Sequence, residues 1–116
     1  MKVKRIVANV KADNIGDAAR FYQEVLGLDE LMDLGWIATY GSDAQSLVQM
    51  SFMKEGGSGT AVPDISIEVD NVDEAYKRMK AAKFKIEYHI TDEPWGVRRF
   101  FVRDPFGKLI NILSHT

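Results

Sequence analysis

The chain has 116 residues, 46% of them hydrophobic, enough for one compact domain or two small modules sharing a core. Its formal charge of −2, with both signs interspersed, offers no cationic run for a nucleic-acid backbone, and no apolar run approaches the roughly 20 residues that span a bilayer. The absence of cysteine excludes disulfides, thiolate metal sites and a cysteine nucleophile, and Met1-Lys2-Val3-Lys4-Arg5 leads straight into a strand rather than a signal-peptide core, so a cytoplasmic protein is expected.

Ile6, Ala8 and Val10 alternate with Arg5, Val7 and Asn9, the period of a strand, placed at residues 3–10 with its apolar members toward a helix. Asn14 stands where a side chain caps a first helical turn, a helix follows through Ala18–Leu26, and Gly27 stops it. Short strands are predicted near Glu30–Asp33, Trp36–Tyr40 and Ser46–Lys54, with turns at Leu34-Gly35 and Gly41-Ser42-Asp43. Glu55-Gly56-Gly57-Ser58-Gly59-Thr60 then reads as a flexible polar linker over 55–63, either a plain surface loop or a lid.

Past Pro63 the pattern starts again. Ile65, Ile67 and Val69 alternate with Asp64, Ser66 and Glu68, and a helix over Val72–Lys83 carries Val72, Ala75, Tyr76, Met79 and Ala82 on one stripe. Strands follow at Lys85–Thr91, Val97–Arg103 and Lys108–Ser114, the last two joined by the turn Asp104-Pro105-Phe106-Gly107. The order β, α, β, β, β thus occurs twice, in module one (3–54) and module two (64–116), which together make a single α+β domain with little residue identity between its halves.

If the apolar residues of each strand lie under a helix, the intervening ones share the other face. That face collects Arg5, Val7, Asn9, Asp64, Ser66 and Glu68, then Leu47, Gln49, Ser51 and Met53, then Leu109, Asn111 and Leu113, while Val48, Met50, Phe52, Ile110 and Ile112 lie under helices. It is polar in its middle, so it is either a wet binding cavity or a solvent-exposed sheet face. Arg5 and Asp64 stand either as an ion pair or as ligand contacts. Trp36, Tyr40, Trp95, Phe101 and Phe106 are aromatic candidates for its walls; Arg98 and Arg99 are read as solvated surface that could also face an anionic ligand.

The stretches Ala19-Arg20-Phe21-Tyr22-Gln23-Glu24-Val25-Leu26-Gly27-Leu28, Asp64–Asp70 leading into Val72-Asp73-Glu74-Ala75, Glu93-Pro94-Trp95-Gly96-Val97-Arg98 and Arg103-Asp104-Pro105-Phe106-Gly107-Lys108-Leu109-Ile110 make the chain resemble the vicinal oxygen chelate superfamily. That superfamily includes glyoxalase I, bleomycin-resistance proteins and extradiol dioxygenases. The resemblance implies two βαβββ modules forming a cup-shaped mixed sheet, a homodimer, and, in the family's enzymes, a divalent metal held from the first and last strands of each module. Carried onto this chain, those positions are Arg5, Gln49, Asp64 and Asn111. An arginine cannot shed its proton to bind metal and an asparagine is a weak neutral ligand, so no resident metal or other cofactor is expected. His89 and His115 fall outside these positions; His89 reads as a surface or strand residue and His115 as part of a fraying terminus.

Two functions are consistent with this reading. The first is a metal-free protein that binds or sequesters a small organic molecule, such as an antibiotic, with Arg5, Asn9, Gln49, Ser51, Asp64, Ser66 and Asn111 orienting it and Trp36, Trp95 and Phe101 walling it. The second is a lyase, isomerase or dioxygenase acting on a small oxygenated substrate, with or without a divalent metal, in which Asp64 or Glu68 moves a proton and Arg5 steadies developing negative charge.

Overall fold

The computed structural model describes residues 1–25, 27–42, 48–105 and 107–116, with the side chains of residues 20, 21 and 48 also left aside. Leu26, Leu47 and Phe106, and the turn and strand ends expected within 43–47, therefore lie outside the described residues. The chain forms two compact units, Met1–Ile6 with Pro63–Thr116, and Val7–Val62. Among the described residues no helix is long and apolar enough to cross a membrane.

In the order of the chain, β1 (Val3–Lys11) leads to α1 (Gly16–Ala18), which continues as a π-helix over Ala19–Val25, and then to β2 (Asp29–Asp33), β3 (Ile37–Ser42) and β4 (Val48–Met53). The strands lie in the order β2-β3-β4-β1, with β4 parallel to β1 and antiparallel to β3. The helical segment sits over β3 and β4: Ile15, Ala38, Tyr40 and Phe52 form the buried cluster, with Ala18, Ala19, Tyr22 and Met50 packed against it and the Tyr22 ring 4.9 Å from Phe52. Met50 and Phe52 are therefore under the helix, as their alternation implies.

The same alternation misleads at β1. Ile6 is 62% exposed and Val10 39%, whereas Val7, expected on the opposite face, is 5% exposed. Helical cover falls on β3 and β4, so the apolar side of β1 gains little from it. Asn14 is not a side-chain cap either; the N-cap is Ile15, and Asn14 takes part through its carbonyl, which accepts from Asp17 N at 3.3 Å. Gly27 does end the helix, at φ 73°.

The segment expected to be a flexible linker is a hydrogen-bonded loop. Gly56 N donates to Thr60 O at 2.8 Å, Thr60 N to Gly57 O at 3.0 Å, and Gly59 N to Glu55 Oε1 at 2.9 Å. Gly56 is required by close approach, since a Cβ there would lie 2.1 Å from Ala61 O.

The second half runs β5 (Ile65–Val69), α2 (Val72–Ala81), β6 (Ile86–Glu93), β7 (Val97–Arg103) and β8 (Leu109–His115), with the strands in the order β5-β8-β7-β6. The β5 and β8 strands are parallel; β6 with β7 and β7 with β8 are antiparallel. The α2 helix starts where Asn71 Oδ1 accepts from Glu74 N at 3.0 Å, with Asp73 and Glu74 at its positive end and Arg78 and Lys80 near its negative end. Val72 and Ala75 pack with Phe100, Val102, Ile110 and Ile112, and Tyr76 meets the Phe100 ring edge-on at 5.0 Å. Burying Phe100 completely, at 0% exposure, stabilises this core by about 2–3 kcal/mol.

At the β7–β8 turn, Asp104 Oδ1 accepts from Lys108 N at 2.9 Å and Gly107 takes φ 78°, which accounts for aspartate and glycine at those places. The repeated βαβββ order is thus the α+β fold expected of this chain.

Candidate functional site

Within the unit of Met1–Ile6 and Pro63–Thr116, the α2 side of the sheet is taken by Phe100, Val102, Ile110 and Ile112. Strand alternation then assigns Ser66, Glu68, Arg99, Phe101, Asn111 and Leu113 to the other side. Register places them in rows: Ser66 beside Asn111 beside Phe101, and Glu68 beside Leu113 beside Arg99. Leu109, Asn111 and Leu113 are 4%, 6% and 7% exposed, so this face is buried in its middle.

Asn111 holds the centre. Its Nδ2 donates to Ser66 Oγ at 3.1 Å, and its Oδ1, buried, has no hydrogen-bond partner among the described residues. Ser66 itself is half-buried.

Arg99 lies on the same face and is 3% exposed, which corrects its assignment to solvated surface. Its Nη2 meets Glu93 Oε2 at 2.8 Å, and Tyr88 Oη donates to Glu93 Oε1 at 3.0 Å. The guanidinium carbon is 5.0 Å from the Trp95 ring centre, 4.8 Å from Phe101 and 5.5 Å from Tyr88. Burial pulls the Arg99 guanidinium down from its ordinary value, and the Glu93 charge opposes that pull. Arg98, by contrast, reaches outward to Asp73 at 2.9 Å and Asp92 at 3.0 Å.

At the end of the row, Arg5 Nε donates to Glu68 Oε1 at 2.6 Å and His115 Nδ1 lies 2.9 Å from Glu68 Oε2. Burial alone would raise the Glu68 carboxyl, but the hydrogen bonds of His115 and Arg5, with their charges, outweigh it and hold the group below its usual range. Two sequence expectations are corrected here. Arg5 pairs with Glu68 rather than Asp64, and His115 is not frayed, being paired with Val97 in β8 while Thr116 N donates to Gly96 O at 2.9 Å. Asp64 is exposed, and its Oδ2 accepts from Leu109 N at 2.9 Å, so it anchors the start of β8.

In the unit Val7–Val62, the corresponding row is Asn9, Ser51 and Thr39. Ser51 and Thr39 share a hydrogen bond of 2.7 Å and are 3% and 6% exposed. Asn9, Gln49 and Trp36 are half-buried there. Tyr40, considered for an aromatic wall, is instead 2% exposed in the core beneath the helix. His89 is exposed on β6.

Tyr88, Glu93 and Thr39 were missed by sequence reasoning. Arg99 had a usable signal, because counting by twos along β7 puts Val97, Arg99 and Phe101 on one face. Glu93 lies in a stretch that carries the resemblance, but nothing in its local pattern marks it as a buried partner, since it follows Thr91-Asp92 in a run that reads as the approach to a turn.

The donors at the family's metal positions do not suit a divalent ion. Arg5 is a permanent cation already bonded to Glu68, Asp64 is exposed and committed to a backbone amide, and Asn111 and Gln49 offer only neutral amides. Among the described residues, no His, Cys, Asp and Glu gather in a group of three or more able to hold a metal.

A family model described as the Glyoxalase/Bleomycin resistance protein/Dioxygenase superfamily matches residues 3–112. No curated protein matches the chain. Solved structures of similar fold include a NAD-dependent benzaldehyde dehydrogenase from Legionella pneumophila, with TM-score 0.78 and 15% identity over 97% of this chain and 100% of that one. A glyoxalase/bleomycin resistance protein/dioxygenase superfamily member from Vibrio splendidus 12B01 has TM-score 0.67 and 20% identity over 97% and 99%. Methylmalonyl-CoA epimerase from Mycobacterium tuberculosis has TM-score 0.68 and 14% identity over 95% and 86%. At such identities the likeness is one of fold.

Proposed function

The chain belongs to the Glyoxalase/Bleomycin resistance protein/Dioxygenase superfamily, and on that footing we propose that it binds a small organic molecule without a metal. The observation that carries this reading is the state of the donors where the family's enzymes hold their ion. The cation of Arg5 is fastened to Glu68 at 2.6 Å, and the carboxylate of Asp64 to the Leu109 amide at 2.9 Å. What the sheet face offers instead is a buried amide at Asn111, a hydroxyl at Ser66, and aromatic surface at Trp95 and Tyr88 beside the Arg99–Glu93 pair. Apolar walls with a few placed polar groups are the usual composition of a small-molecule site.

A catalytic reading would use Glu68 as a base, as a metal-free isomerase or epimerase requires. Arg5 and His115 hold that carboxyl low, which keeps it ionised but makes it a weak proton acceptor; general bases work best when poised near the operating pH. Binding is the better-supported function.

The test begins with metal analysis of protein purified without chelator, and calorimetric titration with Ni²⁺, Zn²⁺, Fe²⁺ and Mn²⁺. No stoichiometric binding is expected. A thermal-shift screen of small organic molecules should then find a stabiliser, worth about 2.7 kcal/mol when present at about 100 times its Kd. Tight stoichiometric metal would overturn the proposal and turn attention to lyase and dioxygenase substrates.

A further inference from the structure

Asn111 Oδ1 is a buried carbonyl oxygen in need of a donor. The residue is 6% exposed, its Nδ2 is directed to Ser66 Oγ at 3.1 Å, and nothing among the described residues donates to Oδ1. Of its neighbours on the same face, Leu109 and Leu113 flank it along β8 and Phe101 stands opposite it on β7, all apolar, while Ser66 Oγ on β5 serves as the acceptor of Nδ2. The nearby cation of Arg99 is drawn to Glu93 at 2.8 Å. An acceptor left unsatisfied out of water costs more than an ordinary hydrogen bond gains, and no described residue supplies its hydrogen, which leaves a place for a donor on a bound molecule.

The chemistry of the amide restricts what that is. A ligand presenting only oxygen lone pairs, such as a vicinal diketone, a carboxylate or a phosphate, would set lone pair against lone pair at Oδ1. A primary amide carries two N–H groups, and Nδ2 spends one of them on Ser66. One of the two lies on the same edge as Oδ1, and with the opposite one given to Ser66 the amide can accept an N–H and donate to a C=O at once, the paired contact by which asparagine recognises a base edge. Phe101, Leu109 and Leu113 around it favour a flat carbon frame.

We propose that the Asn111 amide pairs with a neutral cyclic lactam or cis-amide edge on a flat ligand, an N–H and a C=O presented side by side. The inference rests on the binding function proposed above and specifies the ligand's chemistry at that face.

Three probes of nearly equal shape test it: 2-quinolone, which has the N–H/C=O edge, N-methyl-2-quinolone, which has lost the hydrogen, and coumarin, in which ring oxygen replaces N–H. Binding is read by NMR titration of the full chain, following the Asn111 side-chain amide. The expected result is 2-quinolone binding at least tenfold tighter than either analogue, with the Asn111 amide resonances moving on binding. In Asn111→Leu the probes should fall within about threefold of one another. The comparison among ligands uses the unaltered protein, so it decides the matter even if the variant does not fold. Coumarin binding as tightly as 2-quinolone would overturn the lactam assignment while leaving small-molecule binding intact. No binding of 2-quinolone would also overturn it, leaving Oδ1 to water, and the ligand screen would then judge the binding function separately.

Discussion

The guanidinium of Arg99 meets the Glu93 carboxylate at 2.8 Å with both side chains nearly out of water, 4% and 2% exposed. A charge pair so enclosed is fragile to the loss of one member, because the other is stranded in a medium that solvates it poorly. Arg99→Met or Glu93→Gln alone should destabilise the fold by about 3–5 kcal/mol. The double variant should cost less than the two losses added, by about 1 kcal/mol or more. Urea denaturation of all four proteins measures this, and simple additivity would show that the pair is not coupled.

Glu68 makes stability depend on acid. Burial opposes its ionised form, yet His115 and Arg5 bring its folded value below the ordinary 4.5. A lowered carboxyl contributes stability that is complete above its unfolded value and is lost as pH falls through the folded one. Glu68→Gln should therefore cost about 1–2 kcal/mol at neutral pH, toward the low end because Arg5 is 34% exposed, with the gap to the unaltered protein closing below the usual carboxylate range. Denaturation midpoints at neutral and acid pH give the comparison; a gap unchanged by acid would contradict the assignment.

Gly56 and Gly35 should respond differently to alanine. At Gly35 the backbone has φ 86° and open space around a Cβ, so Gly35→Ala should cost about 1–2 kcal/mol from conformation alone. At Gly56 the added carbon meets Ala61 O at 2.1 Å and Thr60 Oγ1 at 2.3 Å. Gly56→Ala should cost about 3 kcal/mol or more and speed hydrogen exchange at the Gly56 and Thr60 amides. Unchanged exchange would mean that the loop is not held by those bonds.

The second module's core and cap can be separated by size of effect. Phe100→Ala should cost about 3–5 kcal/mol, as expected for emptying a fully buried aromatic site, and Asn71→Ala about 1 kcal/mol through loss of its bond to Glu74 N. Thermal denaturation distinguishes the two, and equal losses would be incompatible with this packing.

The strand and helix order was legible because it is written in local periods. Ile65, Ile67 and Val69 alternate, Val72, Ala75, Tyr76 and Met79 recur at helical spacing, and Asp104 with Gly107 marks a turn. Met50, Phe52, Ile110 and Ile112 were placed on the correct side of the sheet by the same counting. The method failed at Ile6 and Val10, where alternation describes a strand's two faces but not which of them another element covers. Glycine permits close approach as readily as motion, so the glycine-rich segment reads along the chain as a flexible linker or a plain surface loop, and only Ala61 and Thr60 show that Gly56 is there for close approach.

Of the candidate site, strand parity along the sequence placed Ser66 and Asn111 on one face, Phe101 was reached as an aromatic candidate for its walls, and the lack of cysteine follows from composition. Tertiary structure decided the pairings. Arg5 takes Glu68 rather than Asp64, Arg99 turns inward to Glu93 and its aromatic neighbours, and Asn111 directs its nitrogen to Ser66 while its oxygen meets no donor among the described residues. The physical reason is one of range. Backbone sterics and alternation act over a few residues and are readable along the chain, whereas the partner of a charged or polar side chain can lie far along it, as Glu68 lies 63 positions from Arg5, in a register no local pattern records.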